Sequence, residues 1–181
     1  MNYYGGKELA DGARTVRKNT IQVAEDIPED KYSYRAAPDT RSVGEILTHI
    51  ALGTNFQEEV HAKQKLTSMA GLDFPALFQR MAAEEKKPRT KAEIVELLRS
   101  NGDHWTAWLE GLSDSFLGES VAMAPGGSPA SRTRFDMLLG AKEHEMHHRA
   151  QLMLIERILG IVPHLTRQRQ ARAAEAAAAK K

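Results

Sequence analysis

Apolar positions recur at steps of three and four along most of the chain, the spacing that gives a helix one buried face. Leu9, Ala13, Val16, Thr20, Val23 and Ile27 make the first such stripe, which stops before Pro28. A second helix is predicted from Ser42, because Ser42-Val43-Gly44-Glu45 has the spacing of a capping box. Ile46, His49, Ile50, Gly53, Phe56 and Val60 share its inner side. Thr90 to Glu93 repeats the capping pattern and opens a third stripe of Ile94, Leu97, Leu98, Trp105, Trp108 and Leu112. The fourth helix is expected from Thr133 to Leu159, with Gly160 and Pro163 as stop signals.

Between these segments lie a connector, EDKYSYRAAPDTR, and a long link from Leu66 to Arg89. The middle of that link, FPALFQRMAAEEKK, has the composition of a short helix, whereas APGGSPASRT reads as a loop. No run alternates as a strand does. The expected fold class is all-α, a four-helix bundle with long crossover connections over residues 1–165. Residues 166–181, Ala-rich and charged, carry no core pattern and read as a C-terminal tail.

Composition narrows the functional classes. The chain has 181 residues, 25 basic and 24 acidic, for a formal net charge of +1. That balance gives no electrostatic reason to expect nucleic acid or an anionic membrane as partner. With no cysteine, disulfides, thiolate zinc sites and cysteine nucleophiles are excluded. The start lacks an apolar signal core and no stretch approaches the roughly 20 apolar residues of a membrane span, so a soluble, cytoplasmic protein is expected.

The candidate chemistry lies in the histidines, seven in all. His144 and His148 are four apart, one helical turn, so both rings can reach one ion. At about 100° per residue with His144 at zero, His148 falls near about +40°, beside Met137 and Ile155 at about +20°. Both are thus expected to face the core, while Glu145, at about +100°, is expected to face sideways. His147 falls on the flank, and His49 shares the inner side of the second helix. Three inward histidines either find separate hydrogen-bond partners or share a cation, and pattern alone leaves both readings open. His61, His104 and His164 read as ordinary residues, His164 in a loop after Pro163.

Two blocks, IPEDKYSYRAAPDTRSVGEILTHIALG and EHEMHHRAQLMLIERILGIVPH, resemble the DinB/YfiT-like family of bacterial four-helix-bundle metalloproteins. The resemblance runs from about Glu8 to His164. It implies a divalent metal, commonly zinc or nickel, held by His49, His144 and His148. Where the family often has Gly after the arginine of the second block, this chain has Ala150, from which only a packing consequence is expected. The stretch from Lys65 to Pro88 matches no motif and is expected to line a substrate pocket.

Three nitrogen ligands leave a coordination position open, the pattern of a catalytic site. Similar proteins include S-transferases and isomerases that use a low-molecular-weight thiol such as bacillithiol, mycothiol or glutathione as co-substrate. The first expectation is therefore a thiol S-transferase acting on small electrophiles. A metal-dependent hydrolase, or a non-catalytic metal-binding stress or interaction protein, are the alternatives. The resemblance also implies a homodimer, for which Met153 and Leu154 offer outward apolar surface.

Overall fold

The computed structural model describes residues 4–179. The first three and last two residues of the division into bundle and tail lie outside it. Helix α1 spans Gly6–Asp26 and α2 spans Val43–Leu52. Helix α3 covers Phe74–Glu85, α4 Lys91–Glu110 and the short α5 Asp114–Gly118. Strands β1, Ser120–Ala122, and β2, Ser131–Thr133, precede α6, Arg134–Ile158, and α7, His164–Ala178.

Local chemistry sets these boundaries. Ser42 accepts from the Glu45 amide and Glu45 returns a bond to the Ser42 amide, closing the capping box. Thr90 and Glu93 do the same for α4. Such a cap contributes about 1 kcal/mol, enough to fix where a helix begins. Asp73 caps α3, whose second residue is Pro75, and Thr133 caps α6. Gly160, at φ 79°, ends the turn after α6, a conformation that costs glycine little.

Helices α1, α2, α4 and α6 form the bundle, with α1 and α2 each packed against both α4 and α6. One end of the core is Val23, Ile27, Ile46, Leu47, Ile50, Ile94, Leu98, Leu152 and Ile155. The other is Leu9, Trp105, Leu109, Leu117 and Leu138. The start of α1 thus meets the end of α4 and the start of α6. Gly44 lies beside Ile94, and Asn101 donates to the Ala51 carbonyl, so α2 runs parallel to α4. Residues 53–90 must therefore carry the chain back along the bundle, and α3 packs on α2 as part of that return.

Three features depart from the sequence reading. The second helix does not run unbroken to Val60: it stops at Leu52, and after a short turn a π-helical stretch at Glu58–Lys63 follows. The loop before α6 contains an antiparallel ribbon, Val121 opposite Arg132, in which only Val121 is buried on its strand. Three residues are too few for an alternation to register in sequence. His164 is not in a loop but opens α7, buried, with Nε2 3.2 Å from Asn19 Oδ1. The residue 165/166 boundary therefore falls inside α7. Among the described residues, no helix is long and apolar enough to cross a membrane.

Candidate metal centre

The structure brings His49, His144 and His148 together, with one ring nitrogen of each within 4.8 Å of the others. His49 comes from the last turn of α2, and the other two from successive turns of α6. His49 Nε2 and His144 Nε2 are 3.1 Å apart. The ring centroids of the three are 4.6 to 4.9 Å apart, each pair edge to face. Gly53, one turn beyond His49, makes the close approach feasible. A Cβ there would stand 3.3 Å from His144 Nδ1.

Two neighbours fix which nitrogens point inward. Glu85, the last residue of α3, sits 2.7 Å from His49 Nδ1, so that nitrogen donates and Nε2 turns its lone pair to the other histidines. Gln151 Oε1 is 2.9 Å from His148 Nδ1 and does the same for that ring. Gln151 also reaches His147 Nε2 at 3.3 Å, leaving His147 on the exposed flank, where the sequence placed it. Burial, then the neighbouring histidines and Arg41, push the His144 pKa down to about 4. Burial lowers that of His148 too, outweighing the bond to Gln151. Both rings are neutral near pH 7, the state in which imidazole ligates.

Tetrahedral zinc with nitrogens at about 2.0–2.1 Å needs nitrogen pairs a little over about 3 Å apart, so the donor set fits a divalent ion with small adjustments. The centre is at the edge of the bundle, not in its core. The buried side of α6 carries Arg134, Met137, Leu138, Glu145, Leu152, Ile155 and Glu156, spanning about 20° to about 120° from His144 on the helical wheel. Glu145, expected to face sideways, is itself buried. It accepts from Arg17 Nε and Nη2 at 3.0 Å each and from Thr20 Oγ1 at 2.7 Å. Three of the seven buried side chains on α6, Arg134, Glu145 and Glu156, are charged, so an apolar pattern understates how far the buried face extends from the histidines.

The remaining histidines take no part in the triad. His61 is fully buried in the π-helical stretch, where Arg134 Nη1 donates to its Nδ1 at 2.9 Å. Burial, with the Arg134 charge, lowers its pKa to about 4. His104 is exposed on α4. Glu85 is the site residue the sequence did not single out. It lies in the stretch expected to line the pocket, and only the fold shows that its carboxylate meets His49.

A helical bundle with an accessible histidine triad between two helices defines a recognisable class. The sequence model of the DinB superfamily matches residues 13–152, and the chain belongs to that superfamily. A DinB-like protein from Bacillus subtilis is 24% identical, with 84% of this chain and 92% of that chain covered and a TM-score of 0.61. A putative DinB-family member from Exiguobacterium sibiricum is 19% identical, covering 88% and 95%, with a TM-score of 0.61. YfiT from Bacillus subtilis, described as a probable metal-dependent hydrolase with an unusual four-helix bundle topology, is 15% identical. It covers 89% of this chain and 91% of that one, with a TM-score of 0.65. Among curated proteins, none matches the chain in sequence.

Proposed function

We propose that His49, His144 and His148 hold a divalent metal ion, zinc or nickel, and that the chain is a metal-dependent enzyme transferring a small thiol to small electrophiles. The observation that carries this reading is the convergence of three imidazoles, with Glu85 and Gln151 presenting two of their Nε2 atoms. A divalent ion bound there would lower the pKa of a coordinated thiol or water and leave a position open for it.

The chain's own residues favour a thiol over water. A metal-bound water is acidified, its pKa falling toward about 7, but its attack is usually also assisted by a base. Glu85 is the carboxylate at the triad, and it is engaged by His49 at 2.7 Å and by Arg41 at 3.8 Å. A coordinated thiol, already acidic, ionises without such help. The chain has no cysteine, so the thiol would come from solution. The hydrolase reading is favoured by the YfiT resemblance and differs in one measurable respect. Turnover of a small electrophile by zinc- or nickel-loaded protein should require an added low-molecular-weight thiol. Equal turnover without any thiol would establish the hydrolase instead.

A homodimer is also proposed. Ile158 is 55% exposed and Val162 43% exposed at the end of α6 and just after it, whereas Met153 packs partly into the core and Leu154 lines a cleft. Sedimentation analysis of the purified chain tests it.

A further inference from the structure

A cleft of about 350 Å³ opens beside His148, between the connector before α2 and the second half of α6. Its lining includes three apolar side chains, Ile46, Leu154 and Ile155. It is also lined by Arg41, and by His148 and Gln151, which join it to the triad. We propose that this cleft binds the non-reacting part of the substrate, a small molecule with an apolar body and an anionic end that pairs with Arg41. Its role as a substrate site rests on the metal-centre reading; the recognition of the anion by Arg41 does not.

The groups are arranged for this. Arg41 immediately precedes the Ser42 cap, on a turn held by the Thr40 amide to the Ala37 carbonyl and by the bridge between Arg35 and Ser42. Its backbone is thus fixed, while its guanidinium is about half exposed and only loosely paired with Glu85 at 3.8 Å. A guanidinium in that state can turn a planar pair of donors to a carboxylate or phosphate. Asp39, two residues before Arg41, also lines the cleft, so the anion is drawn to the guanidinium itself and not to the connector as a whole. Leu154 gives the apolar body a surface that is otherwise costly to leave in water.

A second groove, about 400 Å³ between α1 and α4, lacks this character. Its Arg14 and Arg99 are paired with Glu110 and Glu25, and it borders no part of the triad.

The test is a ligand-observed NMR titration of the full chain, offered zinc, with hexanoate, hexan-1-ol and acetate as probes. Hexanoate should bind best, with hexan-1-ol and acetate each about tenfold weaker or more. Arg41→Gln should weaken hexanoate about tenfold and leave hexan-1-ol unchanged. Leu154→Ser should weaken hexanoate and hexan-1-ol several-fold and leave acetate unchanged. Hexanoate affinity unaltered in Arg41→Gln, or no hexanoate binding to the parent at millimolar concentration, overturns the proposal. Zinc content measured on the same samples separates the two claims. Zinc-free parent that still binds hexanoate through Arg41 refutes the metal reading and upholds the anion site. Zinc-loaded protein indifferent to Arg41 does the reverse.

Discussion

Glu85 offers a graded test of how the triad is held. Its Oε1 is 2.7 Å from His49 Nδ1, and both side chains are mostly shielded, at 20% and 17% exposure. The carboxylate contributes in two ways: it fixes the ring so that Nε2 faces the other histidines, and its charge makes the imidazole a better donor. Loss of such a partner typically costs about 10–100-fold in metal affinity, equivalent to about 1.4–2.7 kcal/mol. Glu85→Ala removes both contributions and should lie in that range. Glu85→Gln keeps an oxygen for the Nδ1 proton but loses the charge, so it should fall between parent and Ala. Competition for zinc against a chromophoric chelator reads the affinities directly, and circular dichroism confirms the helical content. Parent-like zinc affinity in folded Glu85→Ala would refute the orienting role and show that His49 is held by α2 alone.

Other consequences can be measured separately. Gly53→Ala places a Cβ 3.3–3.4 Å from the His144 ring on a backbone of ordinary helical φ, so zinc affinity should fall several-fold while thermal stability holds or rises by up to about 1 kcal/mol. Glu145→Ala strands the buried Arg17 guanidinium and should cost about 3–5 kcal/mol in urea unfolding, whereas Arg17→Met with Glu145→Leu should recover much of that loss. Glu156 is fully buried and its pKa is raised to about 7, by burial first and then by the Asp26 charge. The folded chain therefore holds a proton that the unfolded chain releases above the ordinary carboxyl range. Stability should fall as pH rises toward and through about 7, by at most about 3 kcal/mol, and Glu156→Gln should flatten that slope in thermal melts.

Much of this architecture is legible in the sequence because it is written in local chemistry. Ser42 with Glu45 and Thr90 with Glu93 mark helix starts by side chains that bond their own backbone, so no tertiary information is needed. His49, His144 and His148 follow from spacing and from the family resemblance, and the fold does bring them together. What escapes the sequence is partnership across distance. Arg17 and Glu145 are 128 residues apart and pair inside the bundle, which widens the buried face of α6 beyond its apolar stripe. Glu85 reaches His49 only because residues 53–90 return along the bundle. The β1–β2 ribbon is too short for periodicity, and His61 needs Arg134, 73 residues later, to be buried.

Elemental analysis of the purified chain, beside a His144→Ala, His148→Ala double variant, tests the metal centre most directly. Close to one zinc or nickel per parent chain and little in the variant, with both folded, is the expected result. A parent that is purified without chelator, offered metal and still binds none tightly would contradict it, as would a variant that keeps its metal.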